Sequence, residues 1–262
     1  LGYIPNIKTT SVIERDLQSH LHPQSNSAES FRTIRAAISL SLRAGDLQVM
    51  SVTSTIPSEG KSLVASNHAI VTAQTGAKTL LVDFDLRRPS VHKVFQLQSP
   101  RGLSSYLLGK VDSIEEIVHH TEVPNLDVIC CGAVPNNPSE LAGSQRMKDF
   151  IQEVRSKYDK AMFDCPPVSA VSDPLMIAAA TDGLIFVSKF NKIRREHAGK
   201  TVQRIQDAGI NIVGACINDL DFEGKDSYYY SYYYYQNRYY ASHYKSDKLG
   251  GEDGEDGKDG EP

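Results

Sequence analysis

The chain has 262 residues, of which 40% are hydrophobic and 23% charged, and its formal net charge is -4. This length suits one medium domain with tails or two small domains, and the acidic balance disfavours a general affinity for nucleic acid. Four cysteines lie in or beside apolar runs without C-x-x-C spacing, which favours buried thiols over a disulfide set or a zinc site. They are Cys130, Cys131, Cys165 and Cys216.

Residues 1–25 lack sustained periodicity, and we interpret them as a linker. A helix is predicted from Asn26, because Asn26 as N-cap with Glu29 three residues later resembles a capping box. Apolar residues then recur at helical spacing from Phe31 to Leu42. No apolar run approaches the roughly 18 residues of a membrane span, and no signal peptide is visible.

Short apolar runs then alternate with helical patterns. The predicted strands are 49–53, 79–84, 126–131, 161–163, 184–187 and 212–217, and the helices include roughly 61–74, 145–157 and 194–208. Apolar strands that alternate with helices predict an α/β fold with a mostly parallel sheet and helices on both faces.

The composition changes after Asp221. Residues 250–262 are Gly, Asp and Glu with one Lys and a final Pro, so we expect them to be disordered. We therefore divide the chain into a linker (1–25), an α/β domain (26–221), a tyrosine-rich tail (222–249) and a disordered acidic tail (250–262). Ten of the thirteen tyrosines lie in the third segment: Tyr228, Tyr229, Tyr230, Tyr232, Tyr233, Tyr234, Tyr235, Tyr239, Tyr240 and Tyr244.

The segment 49–62 is typical of a P-loop, because a strand leads into a loop and Gly60-Lys61-Ser62 opens a helix. In such a loop, backbone N–H groups and the helix N-terminus hold phosphate oxygens. Lys61 would reach the β- and γ-phosphates of ATP, and the Ser62 hydroxyl would bind Mg²⁺. The strict pattern requires glycine at position 55, where this chain has Thr55. A helix start that binds nothing is the alternative.

Carboxylates follow two other predicted strands. Asp83 and Asp85 stand two residues apart and so lie on one side of the chain, and Asp164 ends the strand before Pro166. Parallel sheets bind ligands at the carboxyl ends of their strands, where a carboxylate can hold Mg²⁺ or its water shell. Each motif alone could be a solvated loop or a turn cap. Together, in this order, they predict one nucleotide site.

The tyrosine run permits three interpretations. It could be a sticky low-complexity tail, a platform for stacking nucleic-acid bases, or a cluster of phosphate acceptors. Only Arg238, His243 and Lys245 lie among the rings, which is a thin basic complement for nucleic acid. Each phosphorylation would add about -1.5 to -2 charges, so several would make the tail a polyanion.

These residues together resemble the bacterial tyrosine kinases that accompany capsule and exopolysaccharide export, over roughly residues 26–245. Residues 53–62 resemble the family's Walker A motif, 81–87 its Walker A′ motif and 163–167 its Walker B motif. Residues 137–141 and the pair Arg146-Met147 also resemble a family segment. The tyrosine-rich tail resembles the family's tyrosine cluster.

The resemblance implies a P-loop kinase domain that uses ATP and Mg²⁺ to phosphorylate the ten tail tyrosines. The implied catalytic residues are Lys61, Asp83, Asp85 and Asp164, with Asp83 as candidate base. The implied metal ligands are Ser62, Asp83 and Asp164. The implied nucleotide-binding residues are Pro57, Ser58, Glu59, Gly60, Lys61, Ser62, Leu63, Arg87 and Asn218.

Glu29, Arg32 and Arg35 repeat every three residues on the first predicted helix. Spacing alone favours a solvated face with an ion pair. The three residues nevertheless resemble the family's oligomerisation motif, which implies ring-like homo-oligomers whose subunits phosphorylate each other's tails.

The resemblance also implies partners and a location. Leu1–Pro5 resembles the segment after the second membrane span of a co-polymerase, and the chain does not begin with Met. We therefore expect a soluble fragment of a longer polypeptide at the cytoplasmic face of the bacterial inner membrane, with residues 1–25 as a juxtamembrane linker. A cognate phosphotyrosine phosphatase is the other implied partner, and nucleic acid is not one.

Two other functions are compatible with a P-loop. One is a positional ATPase of the partition or septum-placement class, although such proteins carry a lysine where this chain has Ile56. The other is a nucleotide-binding adaptor with little catalysis. The His-Arg-Asp and Asp-Phe-Gly signatures of eukaryotic-type protein kinases are absent.

Overall fold

An eight-stranded sheet lies at the centre of the structure, a computed structural model that describes residues 1–40 and 47–221. The strand order is β1-β8-β7-β2-β6-β3-β5-β4, and among the strands of the described residues only β4 runs antiparallel to its neighbour. The strands are β1 (Gly2–Pro5), β2 (Val49–Ser54), β3 (Thr79–Asp83), β4 (Val118–His120), β5 (Leu126–Ile129), β6 (Lys160–Asp164), β7 (Gly183–Lys189) and β8 (Ile212–Leu220).

Within residues 1–40 and 47–221, helices and one 3₁₀ turn (Ile114–Glu116) connect these strands. The helices are α1 (Val12–Asp16), α2 (Gln18–Leu21), α3 (Asn26–Ser39), α4 (Lys61–Ala73), α5 (Val91–Val94), α6 (Leu103–Leu107), α7 (Pro138–Ala142), α8 (Gln145–Lys157), α9 (Asp173–Ala179) and α10 (Arg195–Asp207). Each strand and helix whose range the sequence predicted is present, with ends that differ by a few residues. No helix among the described residues is long and apolar enough to cross a membrane.

Helices cover both faces of the sheet, as the apolar strands predicted. Every residue of β2 and β3 is buried, and consecutive residues of β3 point to opposite faces. Leu81 packs in the cluster that contains Ile70 of α4, whereas Leu80 packs in the cluster that contains Phe150 of α8. The predicted α/β P-loop architecture is therefore confirmed.

Parallel register brings the carboxyl ends of the central strands to one edge. Asp83 of β3 is opposite Asp164 of β6, and Val52 of β2 is opposite the same aspartate. The loop after β2 therefore lies beside both carboxylates. This edge is the place where the three motifs of the sequence meet.

The first 25 residues differ from the predicted linker. Gly2–Pro5 forms β1, which extends the sheet by pairing in parallel with β8, and α1 and α2 follow. A strand of four residues is too short to show a period in the sequence, and its hydrogen bonds come from a segment more than 200 residues away. Ser25, not Asn26, is the N-cap of α3, because its hydroxyl accepts a hydrogen bond from the Ala28 N–H at 3.1 Å.

The four cysteines are free and buried, as predicted. Leu42 lies outside the described residues. So do the ten tail tyrosines and the two predicted tail segments, 222–249 and 250–262.

Candidate nucleotide site

A cavity of about 760 Å³ opens at the carboxyl edge of the sheet. Its walls come from the P-loop, the loop after β3, the loop after β6, the end of β8 and the N-terminal segment. Cavities of roughly 300–1,000 Å³ accommodate small-molecule ligands of nucleotide size. Eight of the nine predicted nucleotide-binding residues line it, and the exception is Glu59.

The P-loop connects β2 to α4 through two residues in the left-handed region, Ser58 (φ 62°) and Gly60 (φ 101°). Thr55 does not adopt that region, so the loop needs no glycine at position 55. A Cβ atom on Gly60 would lie 2.0 Å from Nδ2 of Asn218. Glycine at position 60 is therefore required both by its backbone angle and by the close approach of Asn218.

Glu59 faces away from the cavity and fixes the loop from behind. Its buried carboxylate accepts hydrogen bonds from the N–H of Ile56 at 2.8 Å and of Lys189 at 3.3 Å. The Lys192 ammonium donates to the carbonyls of Pro57 and Ser58 at 2.9 and 2.8 Å. These bonds connect the P-loop to β7 and to the segment that follows β7. The sequence did not predict this structural role for Glu59 or Lys192.

Lys61 lies beneath the P-loop between two carboxylates. Its Nζ is 3.0 Å from Oδ2 of Asp85 and 3.6 Å from Oδ1 of Asp164. Burial alone would lower the pKa of Lys61, but the charges of Asp164 and Asp85 outweigh it and raise that pKa. Lys61 is therefore a fixed positive charge at the floor of the cavity.

Asp83 is fully buried and does not line the cavity. One carboxylate oxygen accepts hydrogen bonds from the N–H of Ser90 at 2.9 Å and of Val91 at 3.0 Å, and the other accepts from Asp85 N–H at 3.2 Å. Burial and the nearby Asp164 charge raise the pKa of Asp83 to about 7. In this structure Asp83 shapes the loop after β3, and its role as a base stays a prediction.

Asp164 is the residue that best fits a metal. It is fully buried, and neither carboxylate oxygen has a hydrogen-bond partner. Burial raises the pKa of Asp164. Lys61 is the cation nearest to it, at 3.6 Å, too long for a hydrogen bond. Buried carboxylate oxygens without hydrogen bonds are rare in proteins, and such oxygens suit a cation or its bound water.

Ser62 completes the predicted metal ligands, and its hydroxyl accepts a hydrogen bond from the Ser90 hydroxyl at 3.0 Å. The part of the chain described by the structure contains no group of three or more His, Cys, Asp or Glu side chains that could hold a metal ion. A Mg²⁺ ion bound here would take one or two carboxylates and complete its shell with phosphates and water.

Arg87 lies at the rim of the cavity and is paired with a residue that the sequence did not single out. Its Nε donates to Oδ2 of Asp173 at 2.8 Å, and its Nη2 donates to the Ser139 hydroxyl at 2.9 Å. The hydrogen bond to Asp173 raises the pKa of Arg87. Ser139 lies in the segment 137–141. The resemblance of that segment to a family motif was the one feature of the sequence that pointed to Ser139.

The N-terminal segment forms another wall that the sequence did not predict. Pro5, Asn6 and Arg15 line the cavity, and the Asn6 N–H donates to the carbonyl of Leu220 at 3.0 Å. Asn218 and Asp219, near the end of β8, line the same side. Nucleotide binding would therefore involve residues from both ends of the described chain.

The three predicted oligomerisation residues lie on α3. Arg32 pairs with Glu29 at 2.8 Å, and the Glu29 side chain is 68% exposed. Arg35 donates to the carbonyl of Val71 at 2.7 Å and so satisfies a carbonyl in the last turn of α4. Their role between subunits stays a prediction.

Comparison with known proteins agrees with this geometry. The AAA domain family model matches residues 47–210. Tyrosine-protein kinase YwqD of Bacillus subtilis is 36% identical, over 84% of this chain and 92% of that protein. Tyrosine-protein kinase etk of Escherichia coli is 33% identical over 80% of this chain, but the match spans only 29% of that longer protein.

Solved structures give the same result. The kinase domain of Escherichia coli tyrosine kinase ETK matches with a TM-score of 0.79 and 30% identity, over 86% of this chain and 92% of that one. The septum site-determining protein MinD of Pyrococcus horikoshii matches with a TM-score of 0.57 and 22% identity, over 66% of this chain and 70% of that one, which shows a shared fold alone. The chain therefore belongs to the AAA domain family and, within it, to the bacterial tyrosine-protein kinases.

Proposed function

We propose that this protein transfers the γ-phosphoryl group of MgATP to tyrosines of its own C-terminal cluster, from one copy to a neighbouring copy. The tyrosine oxygen forms a bond to the γ-phosphorus, the bond from that phosphorus to the β–γ bridging oxygen breaks, and ADP leaves. The phenol proton goes to a base. The candidate for that base is Asp83, which would act through water because its carboxylate does not line the cavity.

The observation that carries the proposal is the position of Lys61. Its ammonium is held 3.0 Å from Asp85 and 3.6 Å from Asp164, beneath a P-loop, in a chain whose relatives are tyrosine kinases. A buried positive charge at this place stabilises negative charge that develops on the phosphoryl group. Little other protein chemistry is needed, since positioning and charge dominate phosphoryl transfer.

The remaining residues take supporting roles. Mg²⁺ would neutralise phosphate charge, held by Ser62, by Asp164 and by water, with Asp83 as a further ligand. Backbone N–H groups at the start of α4 bind phosphate oxygens, because they have no partner within the helix. Changing Asp83 to Asn tests the base assignment, and phosphorylation at the wild-type rate in that variant would refute it.

Transfer between copies requires an oligomer, which we assign to Glu29, Arg32 and Arg35. By resemblance, the kinase regulates capsule or exopolysaccharide synthesis and export at the cytoplasmic face of the inner membrane, opposed by a phosphotyrosine phosphatase. A membrane co-polymerase segment is proposed as a partner from the resemblance of Leu1–Pro5 to the segment after a co-polymerase's second membrane span. The match to etk spans 29% of that protein, whereas the match to YwqD spans 92%. The match to MinD concerns the fold alone, and neither the positional ATPase nor the adaptor is favoured.

The test is mass spectrometry of the purified chain before and after incubation with MgATP. Wild type is compared with Lys61→Met and with Lys148→Met, a control at an exposed lysine of α8. We expect phosphate on several residues between 228 and 244 in wild type and control, and none in Lys61→Met. An unmodified tail in a wild type that still hydrolyses ATP would favour the positional ATPase.

Isotopes separate transfer between copies from transfer within one copy. Lys61→Met labelled with ¹⁵N is mixed with unlabelled wild type and MgATP. Phosphotyrosine in labelled tail peptides shows transfer between copies. If only unlabelled peptides carry phosphate, each chain phosphorylates itself.

A further inference from the structure

The guanidinium of Arg87 is held by side chains from two other segments. Asp173, at the start of α9, receives the Nε donor at 2.8 Å and a weaker Nη2 contact at 3.4 Å. Ser139, in α7, accepts from Nη2 at 2.9 Å. The Nη1 group has no hydrogen-bond partner among residues 1–40 and 47–221, and Arg87 lines the cavity.

The two holding residues are themselves fixed. The Asp173 residue is 3% exposed, and its Oδ1 also accepts the Ser139 hydroxyl proton at 2.6 Å. The hydrogen bonds from Arg87 and Ser139 outweigh burial and lower the pKa of Asp173, which keeps its carboxylate charged near neutral pH. Both of its oxygens therefore contact Arg87, and one of them also contacts Ser139.

This arrangement restricts the guanidinium more than a surface ion pair does. An exposed pair costs side-chain entropy and contributes little, whereas a planar guanidinium held at two nitrogens by a buried carboxylate has a defined orientation. The Arg87 side chain remains 38% exposed, so its free edge stays accessible. A guanidinium held in this way at a phosphate cavity is ready to contact a phosphoryl oxygen without reorganisation.

We propose that Asp173 and Ser139 are positioning residues, which hold Arg87 so that its free Nη1 edge contacts the phosphoryl group during transfer. The inference rests on the proposed function, since that function supplies the phosphoryl group. The competing role is structural, in which the ion pair only anchors the start of α9. The two roles differ in whether the effect of Asp173 depends on Arg87.

A double-mutant cycle of Arg87→Met and Asp173→Asn tests the inference, with exposed Asp149→Asn as matched control. Steady-state ATP hydrolysis and phosphate transfer to poly(Glu,Tyr) are both measured. Misplacing a charged group costs up to about 100-fold in rate. We expect Asp173→Asn to lower kcat at least about 10-fold and change KM for ATP less than about 3-fold, the pattern of an interaction made in the transition state.

The expected coupling is strong. In the Arg87→Met background, Asp173→Asn should change kcat less than about 2-fold, because the residue it positions is gone. An equal loss of kcat in both backgrounds would overturn the inference. So would a lower melting temperature with unchanged kcat.

Ser139 provides a second, milder variant if Asp173→Asn does not fold. Ser139→Ala should lower kcat about 3–10-fold, and Ser139→Thr, which keeps the hydroxyl, should restore it. Equal activity of the Ala and wild-type proteins would contradict the role of Ser139. If the wild type hydrolyses ATP but transfers no phosphate to tyrosine, the proposed function is wrong. The double-mutant cycle can then still be measured by the rate of ATP hydrolysis, so the two failures are distinguishable.

Discussion

Asp164→Asn is expected to stabilise the protein without nucleotide and to reduce its stabilisation by MgADP. Asp164 is fully buried, and neither of its carboxylate oxygens has a hydrogen-bond partner. Functional sites commonly retain such unfavourable groups because the ligand needs them. The neutral amide removes a buried charge whose oxygens have no hydrogen-bond partner, and it also removes a candidate metal ligand.

The magnitude follows from the surrounding charges. Lys61 attracts Asp164 from 3.6 Å, and at an effective dielectric constant of about 20 a pair near 4 Å is worth roughly 4 kcal/mol. Asp83 lies opposite Asp164 on the neighbouring strand, about 4.8 Å away, and repels it. Asp85, which pairs with the same Lys61, also repels Asp164. Asp83, whose pKa is raised to about 7, contributes only a partial negative charge near neutral pH, and together with Asp85 it offsets the attraction of Lys61. The burial cost of a carboxylate without hydrogen bonds, about 1–3 kcal/mol, then decides the sign.

We therefore expect the free energy of unfolding to rise by about 2 kcal/mol, and the melting temperature by about 4–8 °C. The assay is urea unfolding in EDTA and then in MgADP. At 100 times its Kd, a ligand stabilises the wild type by about 2.7 kcal/mol, and the variant should gain less than about 1 kcal/mol. Asp149→Asn, a control on the exposed face of α8, should stay within about 0.5 kcal/mol of wild type. A variant less stable than wild type in EDTA would refute the reasoning.

Three further substitutions, and Gly76→Ala as a comparison for one of them, are expected to destabilise the protein in urea unfolding. Gly60→Ala should cost about 2–4 kcal/mol and weaken nucleotide binding, because its Cβ would lie 2.0 Å from Asn218, whereas Gly76→Ala, with φ 92° and open space, should cost only about 1–2 kcal/mol. Equal costs would contradict the packing argument. Glu59→Ala should cost about 2–4 kcal/mol, since two backbone N–H groups lose their acceptor. Asp182→Asn should cost about 2–4 kcal/mol near neutral pH, because an arginine and two backbone N–H groups bind its carboxylate and lower its pKa below the usual 3.8. An acid with a lowered pKa in the folded state stabilises the protein above its ordinary pKa of 3.8, and this stabilisation is lost as the pH falls through the lowered value. The difference between variant and wild type should therefore shrink as the pH falls below 3.8, and a difference that does not shrink would contradict this account.

The sequence determined the sheet and the position of the site. Strands buried on both faces appear as continuous apolar runs, so β2, β3 and β6 could be located in the sequence without knowing which strands pair with them. Gly60-Lys61-Ser62 after a strand is a local signal, and parallel strands bring their carboxyl ends together. Lys61, Asp85 and Asp164 could therefore be placed in one site before their distances were known.

Only the tertiary structure decided the contacts around that site. Strand β1 takes its hydrogen bonds from β8, more than 200 residues away, and its four residues are too few to show a period. The Glu59 side chain lies on the side of the P-loop away from the cavity, because the residues before and after it, Ser58 and Gly60, adopt left-handed backbone angles. The pairing of Arg87 with Asp173 joins the loop after β3 to the start of α9, 86 residues further along the chain. Local patterns fix where a chain turns and what it buries, whereas contacts between distant segments depend on how the whole sheet assembles.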